Sequence, residues 1–235
     1  MATHGKRYNE AAKQVDPKIE YKLDQAVEVL KKLPKAKFDE SVELAFKLGV
    51  DPKQSDQMVR GTVALPHGSG NKVRVVVFAK GATAQAAKDA GADFVGFEDL
   101  VKKCQEGWTD FDVAVATPEA MQEVRKLGKV LGPKGLMPNP KTGTVTDDTA
   151  KAVKEVKAGR VEFKMDKAAN LQVAFGKLSF EPKKLVDNAM TVISAVLKAK
   201  PSVAKGKYVK GITISSTMGP GVQLDSTVLE LAGKV

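Results

Sequence analysis

One cysteine, two histidines and one tryptophan in 235 residues leave little material for several kinds of chemistry. Cys104 has no partner within the chain, so an internal disulfide and a cysteine-built zinc site are excluded and a reducing compartment is expected. His4 and His67 stand far apart, and no nucleophile–base–orienter set or metal-ligand spacing emerges around either. Neither G-x-G-x-x-G nor G-x-x-x-x-G-K-[ST] occurs. Gly68-Ser69-Gly70-Asn71-Lys72 precedes its strand, where a phosphate loop would come after one. Asp147-Asp148 sits where a helix begins, and capping accounts for it better than paired-carboxylate catalysis. No catalytic residue, cofactor site or metal site is therefore expected. No apolar run approaches membrane-spanning length and the first ten residues carry no apolar signal region, so a cytoplasmic protein with no membrane contact is expected.

Acids are outnumbered as well. The chain holds 38 Lys and Arg against 28 Asp and Glu, a net charge of +10, which points to a polyanionic partner. Its length allows one large domain or two modest ones, each with a core.

Periodicity divides the chain into two textures. The first fourteen residues read as a basic arm or short surface helix, and Asp24 as the cap of a helix through Leu33. Phe38 to Leu48 alternates, with Val42, Leu44, Phe46 and Leu48 on one face, so a half-buried strand is predicted, with Arg60–Leu65 as its partner; Arg60–Leu65 is also expected to pair with Arg160–Met165. After Pro66 the texture changes. Val73–Ala79 and Asp112–Thr117 are nearly continuous apolar runs, of the kind buried on both faces of a parallel sheet. Helical stretches at 82–90, at 98–105 and from Pro118 through Leu127 alternate with them. Leu131–Val145 carries three prolines, three glycines, Lys134 and Lys141 but no acid, and reads as an ordered basic loop. A helix from Asp147 to Ala158 comes next.

From Arg160 the alternating texture returns. Val161, Phe163 and Met165, then Leu171, Val173 and Phe175, mark two half-exposed strands joined by a turn at Lys167–Ala169, with a helix from Pro182 to Lys200 after them. The expected architecture is an α+β discontinuous domain, residues 1–67 plus 159–235, interrupted by an inserted α/β three-layer Rossmann-like domain at 68–158. The Gly/Pro-rich crossings point to a hinge. The insert holds 14 Lys and Arg against 12 Asp and Glu, which leaves +8 of the net charge on the discontinuous domain. A nucleic acid is expected to bind there first.

Ile212 to Gly221 holds the most pointed pattern. Ile212 and Ile214 share one parity, and Thr213, Ser215 and Thr217 the other, so hydroxyls line one strand face roughly 6.6 Å apart. No charge occurs between Gly211 and Leu224. Such a neutral window suits the reading of RNA shape and 2′-hydroxyls, while its plain structural alternative is a Thr/Ser-rich edge strand and a tight turn. The loop Lys198–Lys210 leads into it, either as a solvated connection or as a phosphate contact. Lys35-Ala36-Lys37-Phe38 sets a ring beside two lysines. Parity assigns Phe38 to the core, whereas its place at the strand's end leaves it free to stack on a base.

Taken together these residues resemble the bacterial large-subunit ribosomal protein L-one family. The likeness rests on His4–Tyr8, Lys37–Glu43, Val59–Gly68, Gly91-Ala92-Asp93, the long motif Leu131–Lys141 and Ser216–Pro220. It implies a monomeric two-domain protein of the large ribosomal subunit that binds large-subunit rRNA in the mobile stalk. It also implies participation in release of exit-site tRNA and repression of the protein's own operon through its mRNA. Carried over by motif, the RNA contacts would be Lys37, Phe38, Ser41, Thr217, Met218 and Gly219, with Lys167 and Ser215 as further members. Position 41 is often threonine in relatives, and serine keeps the hydroxyl without the methyl. Two alternatives stand beside this reading: an α/β nucleotide enzyme with a basic surface, which would turn over a nucleotide, and a nonspecific polyanion binder, which would not distinguish ribosomal from unrelated RNA.

Overall fold

The computed structural model describes residues 5–204 and 206–233, apart from the side chains of Ser55, Lys141 and Leu231. His4 and Lys205 lie outside the described residues. In chain order the elements are α1 (Lys6–Ala12), α2 (Leu23–Lys32), β1 (Ser41–Leu48), β2 (Arg60–Ala64), β3 (Val75–Phe78), α3 (Gly81–Asp89), β4 (Phe94–Gly96), α4 (Glu98–Gln105) and β5 (Val113–Ala116). Next come α5 (Met121–Val124), α6 (Gly128–Leu131), α7 (Thr149–Lys157), β6 (Arg160–Lys164), β7 (Asn170–Lys177), α8 (Pro182–Lys198), β8 (Val209–Ser216), β9 (Val222–Leu224) and α9 (Thr227–Ala232). The fold is mixed α and β with three sheets among the described residues. The chain divides into two compact units, Met1–Gly70 with Val161–Val235, and Asn71–Arg160.

The first unit is built on an antiparallel sheet in the order β7-β1-β8-β9. Leu44 of β1 stands opposite Val173 on one side and Ile214 on the other, so the strict alternation of all three strands sends their apolar residues to one face. Val42, Leu44, Phe46, Leu171, Phe175 and Ile214 are buried there against α2 and α8. Each helix supplies an apolar stripe at three- and four-residue spacing, Leu23, Ala26, Val27 and Leu30 from α2 and Leu185, Ala189, Val192, Ile193 and Val196 from α8. Burying each large side chain stabilises the unit by about 1.5–3 kcal/mol. The opposite face of the sheet carries the half-exposed Glu43, Ala45, Thr213 and Ser215. A separate two-stranded sheet joins β2 to β6, with the Phe163 ring so close over Gly61 that a Cβ there would lie 2.7 Å from it. Buried Asn188 ties α8 to the chain leaving β2, since its amide donates to the Gly68 and Phe175 carbonyls and its oxygen accepts the His67 N–H.

Several expectations need correction here. The helix at 23–32 begins one residue before Asp24, which lies in its first turn and is not its cap. The first strand starts at Ser41 and not at Phe38. Of the two pairings expected for Arg60–Ala64, the one with β6 is formed and the one with β1 is not, because both sides of β1 are taken by β7 and β8. The hydroxyl strand β8 is not an edge strand, because β9, unseen in the sequence, covers its outer side over Ile212–Ile214. The turn at Lys167–Ala169 joins strands of different sheets, with an isolated bridge between Met165 and Leu171.

The second unit has a parallel sheet in the order β4-β3-β5. Successive residues of β3 face opposite layers: Val76 and Phe78 pack with α4 to α6, and Val75 and Val77 with α3 and α7. The continuous apolar run is thus explained by two covered faces. Cys104 is buried in the first of these layers, which pushes its thiol pKa up. Asp148 caps α7 by accepting the Lys151 N–H at 3.0 Å. Pro118 stands in a turn ahead of α5 instead of opening a helix, and helical turns persist to Leu131, beyond the expected end at Leu127. The Gly/Pro motif after them is ordered by side chains. The Asn139 N–H donates to Thr144 Oγ1 at 2.7 Å, and the Thr142 hydroxyl to the Asn139 carbonyl at 3.0 Å.

Candidate nucleic-acid interface

β1 and β8 run antiparallel, so the start of β1 and the end of β8 meet at one end of the sheet. Two loops of the sequence motifs arrive there, 36–40 ahead of β1 and 217–220 after β8. The carboxylate of Glu40, a residue only 2% exposed, holds them together. Its Oε1 accepts the Ala36 N–H at 2.6 Å, and its Oε2 accepts the Ser216 hydroxyl at 2.7 Å and the Met218 N–H at 3.1 Å. Burial pushes the Glu40 pKa up, but these three donors, with the charge of Arg7 in α1, outweigh it and hold the group below the usual carboxylate range. A second clasp links Ser41 to Thr217. The Ser41 N–H donates to Thr217 Oγ1 and the Thr217 N–H to the Ser41 carbonyl, each at 3.0 Å. Lys177, opposite Ser41 on β7, donates its ammonium to Ser41 Oγ at 2.8 Å, which leaves the serine's own proton to donate outward.

The frame is buried and its attachments are exposed. Phe38 is 54% exposed and Met218 49%, two of the few large apolar side chains left so among the described residues. Parity assigns Phe38 to the core, but the strand begins three residues later, and the bend at Lys37 and Phe38 breaks the alternation. Asp39 anchors the segment after that bend by accepting from the Ser179 N–H at 3.1 Å and its hydroxyl at 2.7 Å. Lys37 is exposed beside Phe38. Gly219 is required by close approach, since a Cβ there would lie 2.5 Å from Ser216 Oγ, the hydroxyl that Glu40 holds.

Six of the eight expected residues therefore lie on one frame: Lys37, Phe38, Ser41, Thr217, Met218 and Gly219. Ser215 stands one row inward on the open face, opposite Glu43. Lys167 does not join them. It is exposed in the turn before β7, at the far end of the sheet, where Lys47 Nζ donates to the neighbouring Ala168 carbonyl at 2.8 Å. Six strand steps separate Lys47 from Ser41, about 20 Å. Asp166 orders that turn by accepting the Asn170 and Ala168 N–H groups, which hold its pKa below the usual range.

Sequence reasoning missed Glu40, Ser216, Lys177 and Arg7. One signal was available: Ser216 has the parity of Ile212 and Ile214, and a hydroxyl on a core face needs a buried partner. Nothing in the local pattern identifies Glu40 as that partner, 176 residues away.

Among the described residues no group of His, Cys, Asp and Glu could hold a metal ion, and no helix is long and apolar enough to cross a membrane. One exposed ring, a thioether, hydroxyls and lysines thus meet on one hydrogen-bonded frame. A model of the ribosomal protein L1p/L10e family matches residues 30–220. That span runs from the last turn of α2 through Pro220 and contains both loops of the frame, and the chain belongs to this family of ribosomal proteins, which bind the RNA of the large subunit and are not enzymes.

Proposed function

We propose that the Glu40 frame is the surface on which this protein holds large-subunit rRNA, in the mobile stalk. Phe38 stacks on a base or ribose, Lys37 and Lys177 neutralise phosphates, and Ser41 and Thr217 test the RNA's hydroxyls and local shape. Met218 packs on a sugar face, and Gly219 lets the RNA backbone approach the turn. Ser215 extends the same row, while Lys167, remote from the frame, adds a separate phosphate contact. The observation that carries this reading is the single buried carboxylate joining two segments that present an exposed ring, an exposed thioether and the Ser41 hydroxyl, with the Thr217 hydroxyl held against the Ser41 backbone beside them.

In this reading the two compact units act as domains, a discontinuous α+β RNA-binding domain and an inserted α/β domain of Rossmann-like layers. The charge distribution supports it, because residues 1–67 and 159–235 carry +8 of the +10. The inserted domain, through its basic Gly/Pro loop, handles exit-site tRNA, and the rRNA surface doubles as the site for the protein's own mRNA. The protein works in the cytoplasm, on the ribosome and monomeric when off it. The decisive experiment is a hydroxyl-radical footprint of the full chain on total ribosomal RNA. One protected region in the large-subunit RNA, lost in a Phe38→Ala/Thr217→Val double variant, is expected. Uniform protection of unrelated duplexes would favour the nonspecific polyanion binder.

A further inference from the structure

The helical layer of the first unit has a surface at odds with the charge of the chain. A cleft of about 630 Å³ lies between α2 and the start of α8, lined by Asp24, Glu28, Glu181 and Asp187 around Val186. A second, of about 450 Å³, shares Asp24 and Val186 and continues over Met190 and Val228 to Glu230 of α9. Together they make one groove with an apolar floor, in which Val186 and Met190 are half-buried against the core. Five carboxylates line it against Lys22 and Lys183, in a protein whose net charge is +10.

The helix dipole and local pairing account for some of these acids but not for their gathering around one apolar floor. Asp24 in the first turn of α2 and Glu230 in the first turn of α9 suit the helix dipole, but Glu28 lies mid-helix, where the dipole gives a negative charge no advantage. Asp24, Glu28 and Glu230 have no ion-pair partner among the described residues. Glu181 pairs with Lys184 at 3.4 Å, and Asp187 with His67 at 3.1 Å, both at the surface.

We propose that this groove docks a cationic amphipathic helix of a neighbouring protein. Val186 and Met190 are one helical turn apart and give a seat for apolar side chains at i and i+4, while lysines or arginines flanking them reach the carboxylate rim. The ring of acids repels RNA, so the occupant is a protein segment. The groove lies on the side of the sheet away from Thr213 and Ser215, so its occupation leaves the open face clear. Docking here is independent of where RNA binds.

The probe is a fluorescein-labelled helical peptide of leucine and lysine, with leucines at i, i+3 and i+4. Its controls are a scramble of the same composition and a glutamate-for-lysine version. Fluorescence anisotropy with the full chain should show saturable binding of the first alone. A Glu28→Lys/Glu230→Lys variant, with both sites exposed and melting checked, should bind about tenfold more weakly or worse. Met190→Gln, which alters the floor and leaves every charge in place, should weaken binding as well. Equal affinity of the charge-reversal variant, or equal binding of the acidic or scrambled peptide, would overturn the proposal. Dimers in sedimentation that the charge reversal abolishes would overturn it too, by making a second copy of this chain the occupant.

Discussion

Replacing Glu40 by glutamine removes a charge and almost no volume, so any loss of stability traces to the hydrogen-bond frame. A glutamine oxygen in the Oε2 position keeps the Ser216 hydroxyl and the Met218 N–H as donors. Its NH₂ then faces the Ala36 N–H, donor against donor, where the carboxylate accepted at 2.6 Å. Leaving that N–H without an acceptor costs about 1–3 kcal/mol, and the two remaining bonds lose their charge assistance, about 0.5–1.5 kcal/mol each. Relief of the buried charge offsets part of this, so a net loss of about 2–4 kcal/mol is expected. On a chain of this size that lowers the melting temperature of the Glu40-containing unit by roughly 5–15 °C. Calorimetry of the full chain is the assay, and a transition belonging to Asn71–Arg160 should not move. The pH dependence gives a second readout. The folded pKa of Glu40 is depressed, so its stabilisation is fully present above the unfolded value, about 4.3, and is lost as pH falls through the folded one. The gap between wild type and variant should therefore be widest near neutrality and close in acid. Coincident melting at neutral pH, or a gap that persists in acid, would refute the reasoning.

Thr217→Val should weaken specific rRNA binding by about 5- to 150-fold in a filter-binding titration. It should also cost about 0.5–1.5 kcal/mol of stability in urea unfolding, because Thr217 Oγ1 accepts the Ser41 N–H. Phe38→Ala should lose about 1–3 kcal/mol of rRNA affinity with an unchanged melting temperature, since the ring is exposed. Lys37→Ala should instead weaken ribosomal and unrelated RNA alike and reduce the salt slope of binding by about one phosphate. Excising residues 71–160 and joining Gly70 to Val161 with a short glycine linker should give a protein that still melts cooperatively and prefers ribosomal RNA, as judged by competition with unrelated duplex.

Local pattern carried the sequence a long way where one periodicity governs one element. The parity of β1, β7 and β8 placed Val42, Leu44, Phe46, Leu171, Val173, Ile212 and Ile214 in the core, where they are. The unbroken run of β3 announced two covered faces. Pairing was less legible, because alternation states which face is buried and not which neighbour is bonded. Arg60–Ala64 is for that reason open to two partners, β1 and β6, of which only β6 is used. The three residues of β9 are too few to show a period at all. At the interface the failures have the same cause. Phe38 shares the parity of a strand it precedes, and the partners of Glu40 could not be read locally, because Ser216 and Met218 lie at the other end of the chain.

A carboxylate at the centre of the proposed RNA surface needs its own explanation, since phosphates and carboxylates repel. Glu40 meets the difficulty by turning its charge inward. Both oxygens point at N–H and O–H donors, and the residue is almost wholly covered by protein. In the other direction the surface shows the cations Lys37 and Lys177, with Arg7 near enough to act on Glu40 itself. The negative charge therefore orders two loops at short range, while RNA approaching from outside meets the positive field of the unit. A neutral acceptor would spare the repulsion altogether, but an amide can offer only one accepting atom to three donors. The uncharged strand beyond it obeys the same division. Attraction needs only net charge somewhere on the unit, and shape discrimination needs hydroxyls and backbone held still, so the residues from Gly211 to Leu224 carry no charge and are held by one that lies outside them.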